Sequence, residues 1–397
     1  MEQFQVAVVG AGLVGAAVAR ELHGAGVKTV VLEAAPQIAA GASRSNSGIL
    51  CTGFDAAPQS LEARMILAQG RRWRRVFDEL RIPHRTPGAL VLANSESQLA
   101  ALNGLAENAE RNGVDTEIVT GERLRRFEPA VVAEAALLVP GEAITDPYEA
   151  VRRLLTGGPE VRLSWPVTRI EQSGASLRVV GPAGTVSADY AVNCAGLYAD
   201  EVAGDDSFRI SPRRGEFVVY GRADSISLAH ILLPVPNERT KGVLVFPTVH
   251  GNICAGPSAV DQVDKDDWKP RASELEAITE QAVELFPPLK NLEVVGSWAG
   301  LRPVGHPHSY IVDWSERTPS LLNIAGIRST GLSSCLGLSR LAVELLVERG
   351  LPLACPPEPD SDSSRSGSTP DVVAPADGHY VGDGEQKPWW ERLRPLE

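Results

Sequence analysis

The sequence has few cysteines, and none of them forms a recognisable pair. Cys51, Cys194, Cys254, Cys335 and Cys355 are scattered through 397 residues. They form neither a Cys-x-x-Cys motif nor a spacing typical of metal ligands. We therefore expect no metal site, and we expect the protein in a reducing cytoplasm, where disulfides are rare.

Positive charge is also in short supply. Lysine and arginine total 38 against 50 acidic residues, which gives a net charge of -12. A chain with this balance lacks the cationic surplus that neutralises nucleic-acid phosphates, so nucleic acid is not an expected partner. A basic run at residues 71–75 falls in a helix predicted over 61–80, and such runs are usually solvated helix faces.

Long hydrophobic runs are missing as well. The most apolar early stretch, residues 6–19, is too short to cross a bilayer. The first residues, Met1, Glu2 and Gln3, lack the basic segment of a secretory signal. We expect no membrane span and no secretory signal.

The overall composition is that of a globular protein with a different final segment. Hydrophobic residues make up 43% and charged residues 22%, and 397 residues suit two domains or one domain with insertions. From residue 352 onward, Pro, Ser, Asp and Gly replace the apolar residues. This predicts a disordered tail over 353–397. Its end carries Trp389 and Trp390, so docking to a partner subunit or a membrane surface is the alternative to a loose tail.

The chain begins with a strand, a glycine turn, a helix and a second strand. The pattern predicts a strand over 3–9, a helix over 13–25 and a strand over 27–32. Gly10 allows the tight turn, Gly12 lets backbone approach a pyrophosphate, and Gly15 lets the helix pack closely on the strand. Glu33 then follows the second strand, where a carboxylate binds ribose hydroxyls. This favours a Rossmann dinucleotide site over an unrelated glycine turn, and it suits FAD and NAD equally.

The next segment distinguishes the two cofactors. Residues 41–48 are small, polar and glycine-rich, and include Ser43, Arg44, Asn46, Ser47 and Gly48. This segment resembles the one that runs along FAD in the D-amino-acid-oxidase-like FAD-dependent oxidoreductase superfamily. It is most similar to the branch of glycerol-3-phosphate dehydrogenases and L-2-hydroxyglutarate oxidases. That branch reads N-S-G, two apolar residues, then H-A-G.

Further blocks resemble the same family in the same order, at residues 189–200, 213–217, 246–252, 299–303 and 323–332. The resemblance covers residues 3 to about 350 and implies FAD as cofactor. It implies a helix N-terminus at Gly331 that stabilises the anionic reduced flavin. The implied cofactor-binding residues are Gly10, Gly12, Gly15, Glu33, Ser43, Arg44, Asn46, Ser47, Gly48, Val167, Ala195, Gly196, Gly300, Arg302, Gly331 and Leu332.

The resemblance also implies the fold, which is α/β (α+β overall). A Rossmann-type FAD-binding domain is assembled from residues 1–85, 144–212 and 299–352. A β-rich substrate domain, residues 86–143 and 213–298, is inserted and covers the flavin face.

Two residues are the candidates for contact with substrate. In the resembling family, the arginine at the position of Arg302 pairs with a carboxylate or phosphate, and a guanidinium suits such bidentate recognition. A structural salt bridge is the alternative for Arg302. His250 is a candidate base because imidazole titrates near neutrality. A turn histidine at a strand end is the alternative for His250.

Cys51 departs from the family pattern, because the relatives carry histidine there, close to the flavin. A thiol cannot act as the same acid or base at neutral pH, so we expect a packed small hydrophobe. Covalent attachment to the flavin is the alternative.

The predicted function is an FAD-dependent dehydrogenase or oxidase that takes a hydride from a small anionic CH–OH substrate. Oxidation of a CH–NH group, as in amino-acid or opine oxidases, is the near alternative, and a non-catalytic flavoprotein subunit is a third. An NAD-only dehydrogenase leaves the blocks at 43–48 and 326–332 unexplained. The tail holds only Cys355, so no iron–sulfur set is present. We therefore expect electrons to leave to oxygen, a quinone or a separate carrier.

Overall fold

The computed structural model describes residues 2–204, 206–223, 226–236, 241–307 and 309–355. Within them the chain forms twenty strands and nine α-helices. The strands are β1 Gln3–Val9, β2 Thr29–Leu32, β3 Ile49–Leu50, β4 His84–Arg85, β5 Ala89–Ala93, β6 Glu117–Thr120, β7 Ala135–Val139, β8 Ala143–Thr145, β9 Glu160–Arg162, β10 Arg169–Ser173, β11 Ser176–Gly181, β12 Gly184–Asn193, β13 Arg209–Tyr220, β14 Ile231–Pro234, β15 Leu244–Pro247, β16 Ile253–Gly256, β17 Val260–Asp261, β18 Val294–His306, β19 Ile311–Trp314 and β20 Leu321–Ala325. The helices are α1 Leu13–Gly24, α2 Leu61–Gly70, α3 Trp73–Glu79, α4 Glu96–Arg111, α5 Gly121–Phe127, α6 Pro147–Leu155, α7 Ala199–Ala203, α8 Ala272–Leu285 and α9 Gly331–Glu348.

The first sheet has eight strands and contains the predicted βαβ unit. Its order is β10-β11-β12-β1-β2-β9, with β20 also paired to β12, and β19 to β20. β1 lies between β12 and β2, parallel to both. Its central residues Val6, Ala7 and Val8 are fully buried, as a parallel strand covered on both faces requires. Because β1 and β2 are parallel, the glycine turn and Glu33 emerge at the same sheet edge.

The second sheet has nine strands, mostly antiparallel, in the order β17-β13-β16-β15-β14-β5-β7-β6, with β18 paired to β13. β13 and β18 pair along most of their length, from Arg209 opposite His306 to Tyr220 opposite Val294. Both strands run across residues 213 and 298 without a break. The domain boundaries predicted at those residues therefore stay a prediction, although a β-rich second layer is present as expected.

A small third sheet connects the residues after the polar segment at 41–48 to strands at residues 84–85 and 143–145. β3 pairs with β8, with Ile49 opposite Ile144 and Leu50 opposite Ala143. β4 pairs with the other edge of β8. This sheet therefore brings Ile49 and Leu50, which follow the predicted flavin segment, against residues 95 and 93 positions later.

The prediction of one continuous helix over 61–80 is wrong, because two shorter helices, α2 and α3, occupy this stretch and the helix is interrupted between them. Arg72 stands at the break and is only 6% exposed. Its guanidinium pairs with Glu21 of α1 at 3.0 Å and donates to the carbonyl of Leu336 in α9. The basic run is thus not a uniformly solvated face. One of its arginines ties three helices together.

The predicted tail, 353–397 with Trp389 and Trp390, lies outside the described residues from 356 onward. Among the helices of the described ranges, none combines the length and the apolar character that a bilayer crossing needs.

Candidate active site

The glycine turn after β1 is shaped by close backbone contacts. Gly10 has a φ of +103°, and a Cβ there would lie 2.6 Å from the carbonyl oxygen of Cys194. A Cβ on Gly15 would lie 2.0 Å from the carbonyl oxygen of Gly10, so α1 approaches β1 at backbone distance. Gly12 is the N-cap of α1 and provides no side-chain cap. The Leu13 amide of this first turn donates to Ser43 Oγ at 2.9 Å. The pyrophosphate site at the N-terminus of α1 stays a prediction.

Glu33 is fixed by two backbone amides at the end of β2. Its Oε2 accepts a hydrogen bond from the Ala11 amide at 2.7 Å, and its Oε1 accepts one from the Ala35 amide at 2.9 Å. Both bonds orient the carboxylate beside the glycine turn. A carboxylate held there has further lone pairs for hydroxyl groups.

A cavity of about 700 Å³ runs along this edge of the first sheet. It extends from the ends of β1 and β2, past residues 40–46 and 194–198, to the start of α9. Ten of the predicted cofactor-binding residues line it: Gly10, Gly12, Glu33, Ser43, Asn46, Val167, Ala195, Gly196, Gly331 and Leu332. The structure thus brings together residues that are more than 300 positions apart in sequence.

Six predicted cofactor-binding residues do not line the cavity: Gly15, Arg44, Ser47, Gly48, Gly300 and Arg302. Gly15 packs α1 on β1. Gly48 has a φ of +82°, and a Cβ there would lie 2.4 Å from the Thr145 carbonyl oxygen. A Cβ on Gly300 would lie 2.6 Å from Ser45 Oγ. These three glycines keep the chain segments around the cavity in close contact.

The N-terminus of α9 closes the far end of the cavity. Gly331 and Leu332 line it, and the N-cap Thr330 makes no side-chain cap bond. The first turn contains no acidic residue. The positive end of an 18-residue helix therefore points at this part of the cavity, where it favours negative charge.

Arg302 lies on β18, opposite Arg213 of β13. Its side chain is partly buried, and Nη2 donates to the Ser258 carbonyl oxygen at 2.5 Å. A Cβ on Gly215 would lie 1.9 Å from Nη2, so this glycine makes room for the guanidinium. Burial, together with the charge of Arg213, lowers the pKa of Arg302 to about 10. Among the described residues no carboxylate forms an ion pair with it.

His250 lies in the turn between β15 and β16, outside the cavity lining. Its Nε2 is 3.0 Å from Oδ2 of Asp146. Asp146 is the N-cap of α6, because its Oδ1 accepts the Glu149 amide at 2.9 Å. His250 therefore contacts a helix cap. Its predicted role as a base stays a prediction.

Comparisons with known proteins agree with this geometry. The family model for DAO, the FAD-dependent oxidoreductases, matches residues 5–345. The chain belongs to the DAO family of FAD-dependent oxidoreductases. The family predicted from the motifs, the enzyme class and the FAD cofactor are thereby confirmed.

Individual relatives are similar over most of the chain. A glycerol 3-phosphate dehydrogenase of Caloramator mitchellensis is 30% identical over 86% of this chain and 74% of its own length. An L-2-hydroxyglutarate dehydrogenase of Indibacter alkaliphilus is 29% identical over 67% of this chain and 70% of its own. The FAD-bound structure of the Mycoplasma pneumoniae L-α-glycerophosphate oxidase superposes with a TM-score of 0.82 at 27% identity. It covers 87% of this chain and 95% of that one.

The cavity of this DAO-family enzyme fits FAD. Its glycine turn leaves backbone space that a Cβ on Gly12 would fill, 2.8 Å from Ser43 Oγ. A carboxylate stands at one end, at Glu33. A helix N-terminus whose first turn contains no acidic residue stands at the other, at Gly331. A dinucleotide with a ribose, a pyrophosphate and an anionic reduced ring needs these features in that order.

A group of ionisable residues beside Cys51 was not identified from the sequence. Cys51 is followed by Thr52 and Asp55, and β8 places Glu142 against this turn. Glu142 accepts hydrogen bonds at Oε1 from the Thr52 amide, at 2.7 Å, and from the Thr52 hydroxyl, at 2.8 Å. Lys241 pairs with Asp55 at 2.5 Å. No local pattern marks this group, because it forms only when β3 pairs with β8.

The thiol in this group is protonated at neutral pH. Burial raises the pKa of Cys51 to about 12, and the nearby Glu142 charge adds to the rise. The Cys51 amide donates to Ser333 Oγ at 2.8 Å, which ties the turn to the first turn of α9. Cys51 also packs against the apolar cluster of the second sheet, as expected for a small hydrophobe.

Proposed function

We propose that this DAO-family enzyme oxidises a small anionic compound at a CH–OH group, such as glycerol 3-phosphate or a 2-hydroxy acid. The observation that carries the proposal is that Arg302 is partly buried and, among the described residues, forms no ion pair with a carboxylate. A partly buried guanidinium without a carboxylate partner among the described residues is costly unless a ligand supplies the negative charge. The similarity to a glycerol 3-phosphate dehydrogenase and an L-2-hydroxyglutarate dehydrogenase supports a substrate of that kind.

The cavity residues have distinct roles in this proposal. Glu33 binds ribose hydroxyls of FAD, while the amides after Gly12 bind its pyrophosphate. The first turn of α9, from Gly331, faces the flavin ring. When bound, FAD supplies the acceptor for the substrate hydride, at its N5 atom. Ser43, Asn46, Val167, Ala195, Gly196 and Leu332 complete the walls, and Arg44, Ser47, Gly48 and Gly300 hold the segments behind them.

Arg302 orients the substrate. Gly300, two residues before Arg302 on the same face of β18, packs against Ser45 in the segment 41–48, part of which lines the cavity. A fork of N–H donors binds a carboxylate or phosphate through two parallel hydrogen bonds and fixes the position of the adjoining carbon. Proposed acceptors for the electrons are oxygen, a quinone or a separate carrier, and the proposed location is the cytoplasm.

A CH–NH substrate is the second candidate, and Cys51 favours it. An amine is oxidised from its neutral form, whereas an alcohol also gives up a hydroxyl proton. The protonated thiol of Cys51 cannot accept that proton, and His250 faces Asp146. Unless another base is present, the site suits an amine better.

Anaerobic bleaching of the bound flavin separates these candidates. The purified protein is mixed in turn with glycerol 3-phosphate, both enantiomers of 2-hydroxyglutarate, other 2-hydroxy acids, and amino acids with their N-alkyl derivatives. We expect one hydroxy compound to remove the flavin absorbance. Bleaching by amines alone would move the enzyme to the CH–NH class, and the proposed function would be wrong.

A further inference from the structure

Resting on the proposed oxidation of a CH–OH group, we propose that Glu142 is the catalytic residue that accepts the proton of the substrate hydroxyl. The carboxyl group stands beside the position where relatives carry histidine and this chain carries Cys51. Glu142 would thus supply the base that Cys51, at the histidine position of the relatives, cannot supply.

The small sheet brings Glu142 close to Cys51. Ile49 is paired with Ile144, and Leu50 with Ala143, in antiparallel strands. Cys51 directly follows the first of these strands and Glu142 directly precedes the second, so both residues lie at the same end of the sheet. The Thr52 amide donates to Glu142 Oε1 at 2.7 Å, which holds the carboxyl group against the turn that begins at Cys51.

The contacts of Glu142 leave one oxygen available. The side chain is buried, with the residue only 2% exposed. Oε1 takes both hydrogen bonds from Thr52. Among the described residues, Oε2 has no hydrogen-bond partner, so it is open to a proton. The two bonds at Oε1 hold the group in a single orientation, which general-base catalysis requires.

The same turn is connected to the flavin end of the cavity. The Cys51 amide bonds to Ser333, two residues after Gly331 and one after Leu332, both of which line the cavity. Glu142 bonds to Thr52, the residue that follows Cys51. Glu142 is thus one hydrogen bond from a turn that is itself bonded to the first turn of α9.

The ionisation of the group suits the task. Burial raises the pKa of Glu142 to about 7; the two Thr52 bonds oppose the rise, Asp55 adds to it and Lys241 opposes it. Among the described residues, Asp55 and Lys241 are the titratable groups whose charges act on Glu142, from the neighbouring turn and loop. A base with a pKa near the working pH transfers protons most effectively.

The proton balance of the step is simple. The substrate O–H bond breaks and an O–H bond forms on Glu142, while the two electrons of the neighbouring C–H bond leave as the hydride of the proposed reaction. The alcohol carbon is oxidised to a carbonyl and FAD is reduced. Glu142 returns its proton to solvent before the next turnover.

The first test is the Glu142→Gln variant with its FAD bound. We expect anaerobic flavin reduction by the hydroxy substrate to slow by about 100-fold or more, the usual range for a lost general base. The acid limb of the rate near pH 7 should disappear. Glu128→Gln is a matched control, because Glu128 is also 2% exposed and also bonds to backbone amides. It should keep the wild-type rate and pH profile.

The second test needs no turnover. In a Cys355→Ser background, which removes the exposed thiol, the alkylation rate of Cys51 by iodoacetamide is measured between pH 6 and pH 9. Because the Glu142 charge raises the pKa of Cys51, Glu142→Gln should alkylate faster than its parent at pH 9. Equal alkylation rates would show that no carboxylate charge stands beside Cys51, and they would overturn the inference.

The outcomes separate the two proposals. If no hydroxy compound bleaches the wild-type flavin, the proposed function fails and the inference falls with it. If a hydroxy compound bleaches the wild type and Glu142→Gln equally fast, the inference alone is wrong. Slow reduction in Glu142→Gln with normal FAD content, together with faster Cys51 alkylation, supports both.

Discussion

Replacing Arg302 by methionine should separate substrate binding from folding. The guanidinium bonds to the Ser258 carbonyl and, among the described residues, to no carboxylate. Methionine keeps the length of the stem and adapts to irregular space. Since no acidic partner is left buried and unpaired, the cost is about one ordinary hydrogen bond. We expect the free energy of unfolding to change by about 1 kcal/mol or less.

The effect on substrate binding should be much larger. A bidentate guanidinium makes two charge-assisted hydrogen bonds, each worth about 1.5–3 kcal/mol. Losing both costs about 3 kcal/mol at the lower bound, which raises the dissociation constant of the substrate roughly 100-fold. The assay is anaerobic stopped-flow reduction of the flavin at increasing substrate concentration, which yields the apparent dissociation constant. Urea unfolding measures the stability of the same samples.

Arg213→Met is the matched control for this experiment. Arg213 stands opposite Arg302 in the β13–β18 pair, but it is bound to Asp261 through two hydrogen bonds of 2.6 and 3.0 Å. We expect its replacement to change substrate affinity by less than about tenfold, since a partly exposed pair contributes about 1 kcal/mol or less. An unchanged dissociation constant in Arg302→Met would refute the anchor. A large loss of stability there would show that Arg302 has a structural role instead.

Three further predictions concern the cofactor cradle and the buried acid. Gly15→Ala places a Cβ 2.0 Å from the Gly10 carbonyl oxygen, so we expect reduced FAD content and a loss of about 1–3 kcal/mol in urea unfolding. Gly104→Ala in α4 is the control. Its Cβ meets nothing within 4 Å, so FAD content and stability should stay unchanged or improve slightly. Glu33→Gln keeps one acceptor oxygen but sets an NH₂ group against a backbone amide. FAD affinity, measured by flavin fluorescence, should therefore fall by about tenfold or more. An unchanged affinity would contradict the ribose-binding role of Glu33. The pKa of Glu142 is raised on folding, so the folded protein holds this proton more tightly than the unfolded chain. Stability should therefore decline as pH rises from about 4.5 to 7, by about 3 kcal/mol at most, and Glu142→Gln should remove that part of the decline.

The cofactor half of the site could be predicted from the sequence because its determinants are local. Gly10, Gly12 and Gly15 lie within six residues of sequence. Gly10 and Gly15 are required by close backbone contacts, and a Cβ on Gly12 would meet the Ser43 side chain. Glu33 follows the next strand, so its place beside the turn comes from parallel pairing alone. The start of α9 at Gly331 was also predicted, from the family motif at residues 323–332.

The errors and omissions arise from contacts between distant parts of the chain. The residues at 61–80 have helical character throughout, yet the helix breaks where Arg72 turns inward to Glu21. No local signal distinguishes that arginine from its basic neighbours. Glu142 was missed because its partner Thr52 is 90 residues away and follows a strand of only two residues. Sequence patterns of that length do not specify pairing.

The most direct measurement is anaerobic flavin reduction in a single turnover, with the hydroxy substrate carrying hydrogen or deuterium at the carbinol carbon. The central claim is that this FAD-dependent enzyme breaks that C–H bond while Arg302 holds the neighbouring anion. We therefore expect the deuterated compound to reduce the flavin more slowly, in the wild type and in Arg302→Met at saturating substrate. Equal rates for both isotopologues, or no reduction by any anionic alcohol, would contradict the claim.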